Sequence, residues 1–421
     1  MRFGSVAGSH ILCGEPRASA RADLRILERF RYWCSERPPS FPPWQGGMNA
    51  APRYKVSESV LALGLALAMG VGPAVRAEPP ALLGERIARI ADLLPIEMAK
   101  QDIPGMSVAV VMEDRLVWSQ GFGFADVENR VPATRETVYR IGAVSKMVTA
   151  VGILQLIQAG KLNLHASVRD YVPELPDPGA TITIRHLLAH MSGVRHYKSE
   201  SEVFNRQHFD KLVDTLAVFK DDPLVVKPGE QFLYSSFAYN LLGLVIERIS
   251  GETYESYIKK QIFEPLQMKA STVDDLRTII PHRARGYTRA ADGRLRNSAF
   301  VDLSIRQPGD GLLSTAEDLA RFAMAFHTGR LLDPSIVQVM TTEHKTSGGQ
   351  ASGYGLGCFV RELDGRKIIG HAGVVPQAAA FLLIVPEERV AIVVIANLEE
   401  ADVNAISLRI ARILLGDEPL R

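Results

Sequence analysis

The reading of this chain turns on Tyr139-Arg140-Ile141-Gly142-Ala143-Val144-Ser145-Lys146, followed by the apolar run Met147-Val148-Thr149-Ala150-Val151-Gly152-Ile153-Leu154-Gln155-Leu156-Ile157. A serine at position 143 would make the string Ser-x-x-Lys. Residues three apart share one face of a helix, so a lysine amine there can take a serine's proton and activate it for attack. Alanine at 143 has no hydroxyl, so the string keeps the base and lacks the attacking atom. Lys146 is the only charged residue between Arg140 and Lys161. Apolar side chains cover nearly every face of this segment, which predicts a buried helix. A lysine in such a place needs a partner or a chemical task. The plain alternative is a lysine snorkelling from the first turn of a core helix.

Bulk composition narrows the field. The 421 residues carry 48 Lys+Arg against 47 Asp+Glu, a formal charge of +1, which gives no electrostatic case for nucleic acid. Residues 48–77 read as a secretory signal: Arg53 and Lys55 form a basic start, Val60 to Gly72 an apolar stretch, and Val75 and Ala77 the small residues of a cleavage site. Residues 1–47 are arginine-rich and lysine-free, and they read as an upstream extension, with translation expected to begin at Met48. The rival reading, a transit peptide, sits poorly with Glu15, Asp23, Glu28 and Glu36. The expected location is exported, periplasmic or extracellular, with membrane association only if the apolar stretch stays uncleaved. After such cleavage Cys358 alone remains of the three cysteines, which excludes an intrachain disulfide.

Periodicity predicts an N-terminal helix over 81–100 and a strand hairpin from Met106–Met112 and Leu116–Phe124. A second, fully buried hairpin is predicted from Ala378–Val385 and Arg389–Ala396, and a last helix over 402–415. The middle reads as mostly helix and loop, with helices at 184–190, 236–249, 253–264 and 315–327. The fold class is α+β: an antiparallel sheet flanked by helices, with a mainly helical region inserted and a cleft between the two parts.

Two further strings bear on that cleft. Pro228-Gly229-Glu230-Gln231-Phe232-Leu233-Tyr234-Ser235-Ser236 puts a phenol at a turn-to-helix junction, where a nearby cation would fit it for proton transfer. Ile369-Gly370-His371-Ala372-Gly373-Val374 comes just before a predicted core strand, and its small residues allow close backbone approach to a ligand. His186 and His190, four apart, lack the glutamate and third ligand of a metal site and read as structural.

With these strings on the page, the chain resembles the serine beta-lactamase and penicillin-binding-protein superfamily over about residues 82–417. The match is to its class C, D-alanyl-D-alanine carboxypeptidase-like branch. Gly121 to Pro132, Ser192 to Tyr197, Pro228 to Tyr234, Gly311 to Thr315 with Asp318 to Phe322, and Tyr354 to Gly357 carry the likeness. They look most like the mitochondrial serine beta-lactamase-like branch and its bacterial relatives. The resemblance implies that Ala143 stands at the nucleophile position and Lys146 at its activator. Tyr234 stands at the catalytic tyrosine and His371 at the head of the Lys-Thr-Gly or His-Thr-Gly strand motif. Ser236, Ala372, Gly373 and Val374 then fall on the substrate side, with the backbone N–H groups of Ala143 and Val374 as an oxyanion hole. No cofactor or metal is implied.

This chain departs from the pattern at Ala143, at Ser236 in place of a frequent asparagine, and at Asp310, which interrupts Gly309-Asp310-Gly311. Three functions compete. The first is a hydrolase scaffold that has lost covalent catalysis and binds a small peptide or acyl ligand. The second is an active Ser-x-x-Lys peptidase, esterase or beta-lactamase, should alanine at 143 be an artefact or an engineered change. The third is a structural role unrelated to the cleft.

Overall fold

The computed structural model describes residues 80–418, so the expectations for 1–47 and 48–77 lie outside the described residues. Helix α1 spans Pro80–Lys100. Strands β1 (Gly105–Met112), β2 (Arg115–Asp126), β3 (Val131–Pro132) and β4 (Tyr139–Arg140) follow. A single 3-10 turn, Gly142–Val144, then leads into α2 (Ser145–Gln158).

The middle of the chain carries α3 (Ile184–Leu188), α4 (Ser236–Ser250), the short strands β5 (Thr272–Val273), β6 (Tyr287–Arg289), β7 (Leu295–Asn297) and β8 (Leu312–Ser314), and α5 (Ala316–Thr328). It closes with β9 (Phe359–Leu363), β10 (Arg366–Val375), β11 (Ala378–Val385), β12 (Val390–Ala396) and α6 (Val403–Leu415).

The main sheet has seven strands in the order β3-β2-β1-β12-β11-β10-β9, antiparallel throughout. Both predicted hairpins are present, and they meet where β1 pairs with β12. β11 and β12 are buried at every position, as two uncharged apolar runs require of strands covered on both faces. Their alternation divides the core. Leu382, Ile384, Val393 and Ile395 point into the cluster shared with α2, α4 and α5. Phe381, Leu383, Ile392 and Val394 point into the cluster built with Ile90 and Leu94 of α1 and Ile406 and Ile410 of α6. The molecule is thus helix, sheet, helix in layers, with the helical region on the α2 face.

Caps explain where the helices begin and end. Ser235, Thr315 and Asp402 each accept a backbone N–H of the first turn of α4, α5 and α6. Gly251, Gly329 and Gly416 close the same helices with left-handed backbone. Ile369–Val374 does come just before the predicted core strand, now β11, and is itself strand, within β10. One expectation needs correction. The helix expected over 253–264 is α-helical only through Tyr254–Ile258 and continues as a π turn over Lys259–Phe263. Among the described residues no helix is long and apolar enough to cross a membrane.

Candidate active site

The head of α2 lies directly against β10, and two glycines make that possible. A Cβ on Gly373 would stand 2.0 Å from the carbonyl oxygen of Ile141 and 2.9 Å from the nitrogen of Ala143. Gly142, at φ 50°, brings its own backbone close to Gly373 and Val374. Glycine alone tolerates both the contact and the left-handed conformation. The nitrogen of Ala143 and the strand residues 373–374 are therefore neighbours, although 230 positions of sequence separate them. Val374 keeps 38 % of its surface exposed there.

Lys146, in the first turn of α2 and three residues after Ala143, has no exposed surface. Its Nζ donates to Ser236 Oγ at 2.9 Å, to the Gly309 carbonyl at 3.0 Å and to Asp310 Oδ1 at 3.0 Å. It also stands 4.8 Å from the ring centre of Tyr234 and 5.5 Å from that of Tyr239. Both rings present electron-rich faces to a cation. Asp310 Oδ2 accepts the Tyr197 hydroxyl at 2.6 Å and lies 3.8 Å from Arg306 Nε. Burial alone would raise the Asp310 carboxyl, but the Lys146 and Arg306 charges, with the Tyr197 and Ser236 hydroxyls, hold it below the usual carboxylate range.

Two histidines fix the chain after Tyr234. His190 Nδ1 accepts the N–H of Ser235 at 3.1 Å, and His196 Nδ1 accepts the N–H of Ser236 at 3.2 Å. The His190 ring also packs against Tyr234 with centres 4.2 Å apart. Burial, reinforced by the Lys146 charge, pushes His190 well below its ordinary value. Burial outweighs the pull of Asp310 to bring His196 down to about 3. Both rings are thus neutral acceptors. His186, by contrast, caps the start of α3 with Thr183.

His371 behaves differently from the expectation of a group facing the cleft. Its Nδ1–H donates to the Ala372 carbonyl at 2.7 Å, leaving Nε2 to accept the Tyr354 hydroxyl at 2.9 Å. Burial and the Lys146 charge push it down to about 3. Ala372 turns its methyl into the core on the α1 side. Ser236, expected on the substrate side, is 1 % exposed, and its hydroxyl faces Lys146. Ser145 is consumed inside the fold, donating to the Gly142 carbonyl and accepting the Leu312 N–H.

The structure therefore brings Ala143, Lys146, Tyr234, Ser236, His371 and Gly373 together. It adds Asp310, Tyr197, Tyr354 and His190, which the sequence reading left without a role at the site. One signal for Asp310 was available: a buried lysine calls for a carboxylate, and Asp310 is the acid in the otherwise uncharged stretch 307–316. A separate cavity of about 880 Å³, walled by Leu175, Phe219 and Leu224, includes none of Ala143, Lys146, Tyr234 and His371. Among the described residues no group of three His, Cys, Asp or Glu is placed to hold a metal ion.

Comparison with known proteins shows the family and the fold. The family model described as Beta-lactamase matches residues 90–416. The human serine beta-lactamase-like protein LACTB, mitochondrial, is 30% identical over 415 residues, covering 73% of this chain and 76% of the relative. Protein flp of Staphylococcus aureus strain MW2 is 30% identical over 317 residues, covering 74% and 63%. Among solved structures, the octameric penicillin-binding protein homologue from Pyrococcus abyssi superimposes with a TM-score of 0.70 at 29% identity, covering 78% of this chain and 77% of that one.

Proposed function

The chain belongs to the beta-lactamase family, and from that premise we propose that it is a serine-hydrolase scaffold impaired in covalent catalysis, whose cleft binds a small acyl or peptide ligand. The observation that carries the reading is the head of α2. Ala143 occupies the end of the helix that presents Lys146, against β10, with Tyr234 over the lysine. Every part needed to hold and polarise an acyl group has a counterpart except the oxygen that would attack it. The backbone N–H groups of Ala143 and Val374 supply the oxyanion contacts in this reading, and they need no particular side chain. Loss of a serine nucleophile costs on the order of a millionfold in turnover in a well-studied serine protease, so binding is the function that survives. The signal-like stretch 48–77 supports an exported location.

The test is intact-mass spectrometry of the unaltered chain and of Ala143→Ser after long incubation with a fluorophosphonate and with a penicillin. The expected result is an adduct on the serine variant alone. An adduct on the unaltered chain would place the nucleophile elsewhere and favour an active hydrolase. Absence of any adduct on Ala143→Ser would mean that the cleft has diverged beyond one missing oxygen.

A further inference from the structure

Lys146 Nζ has three hydrogen-bond acceptors within 3.0 Å. An ammonium carries three N–H bonds and no lone pair, whereas a neutral amine carries two and keeps a lone pair for a proton. The Gly309 carbonyl and the Asp310 carboxylate can only accept, so each requires an N–H. Ser236, the third, has its own hydroxyl beside Asp310, which gives its proton a destination other than the lysine. The set suits an ammonium ion.

We propose that Asp310 holds Lys146 as an ammonium ion, so that in this chain the lysine is half of a buried charge pair and no longer a base for a hydroxyl at position 143. The proposal rests on the reading of the cleft as a former acyl-transfer site. It makes Asp310 a positioning residue that acts through Lys146, and it joins two departures of this sequence into one change. Losing the hydroxyl at 143 removed the need for a base, and the acid in Gly309-Asp310-Gly311 supplies the counter-charge that a buried ammonium requires.

The groups facing Lys146 from each neighbouring element agree with that state. They are Arg306 and Asp310 from 303–310, His196 and Tyr197 from the loop after Gly193, and His190 from beyond the end of α3. Tyr234, Ser236 and Tyr239 face it from the start of α4, and His371 from β10. The three histidines are neutral, which leaves Lys146, Asp310 and Arg306 as the charged members of this set. Arg306 is tied to the carbonyls of Glu202 and Val203, while Lys146 takes the shorter contact with the carboxylate.

Two readouts on the full chain test this. The first follows the lysine directly, by carbon-13 NMR of chains labelled at the lysine Cε, with the Lys146 signal assigned from its absence in Lys146→Met. In the unaltered protein the signal should stay that of an ammonium up to about pH 10, near the ordinary lysine value. In Asp310→Asn it should titrate roughly one to three units lower, the usual effect of removing a close opposite charge. The second readout is the rate of fluorophosphonate labelling of Ala143→Ser with and without Asp310→Asn. Because the reactive fraction is the neutral amine, that shift predicts labelling roughly 10- to 200-fold faster in the double variant at pH 7.5, with the acid limb moved down by the same interval. Asp310→Gly serves as a second variant, with near-ultraviolet circular dichroism to check folding.

A Lys146 signal that titrates below pH 8 in the unaltered chain overturns the proposal without any variant. Equal labelling rates and pH profiles with and without Asp310→Asn overturn it as well and leave the reading of the cleft intact. If neither serine variant is labelled while Asp310→Asn shifts the Lys146 titration, the charge pair stands and the reading of the cleft falls.

Discussion

Ala143 and Lys146 were both visible in one helical turn of sequence, because a three-residue spacing fixes which side chains share a face. Asp310 was visible only as an oddity among glycines, since nothing local says that it lies beside a lysine 164 positions earlier. Tyr354 sat in a recognised string without a role, and the structure gives it one as the hydrogen-bond donor to His371. The histidines around the site carry a pH prediction. His190 and His196 must be neutral to accept the N–H groups of Ser235 and Ser236, and His371 must be neutral to accept from Tyr354. Unfolded, all three would take up protons below about pH 6.5, whereas folded they resist until far lower pH. The unfolded state then binds more protons, so stability rises with pH through this window and is lost on acidification from about 6.5. Each neutral histidine contributes a slope of about 1.4 kcal/mol per pH unit. Urea unfolding between pH 5 and 6.5 should show that dependence, and His371→Gln should reduce the slope by about one histidine's share.

At the scale of elements, the long helices and the two apolar hairpins were legible because each repeats its period over many residues. Strands β4, β5 and β8, of two or three residues, were not, since so short a run shows no period at all. The junction that places Tyr234 depends on a cap. Ser235 Oγ accepts the Ala238 N–H at 3.1 Å and donates to the Arg195 carbonyl at 2.7 Å, with no exposed surface. One hydroxyl therefore starts α4 and ties it to the loop carrying His196 and Tyr197. Ser235→Ala strands both partners and should cost about 1–2 kcal/mol, read as a lower urea midpoint with an unchanged m value. The adjoining tyrosine should loosen with it, so binding of a cleft ligand should weaken in the same variant.

Across the whole molecule, both faces of one sheet carry core, and the Lys146 cluster sits on one of them. α1 and α6, from the two ends of the described chain, cover the face away from Lys146, and β1 against β12 joins those ends within the sheet. Ile410 of α6 is fully buried in that layer. Ile410→Ala should lower the unfolding free energy by about 2–5 kcal/mol, yet leave the labelling rate of an Ala143→Ser background unchanged at a temperature where both are folded. The α+β layering followed from the sequence because apolar periodicity is a local property, and so did the alanine three residues before Lys146. The state of Lys146 did not follow, because it depends on which groups the fold carries to it: Ser236 from the start of α4, Gly309 and Asp310 from a glycine-rich turn, and Tyr234 set by two neutral histidines. Those partners come from segments some 45 to 165 residues away, and sequence periodicity is blind to pairings at that range. The sequence by itself thus determined the elements and the alanine at position 143. Tertiary packing decided that Lys146 meets a carboxylate in the buried interior.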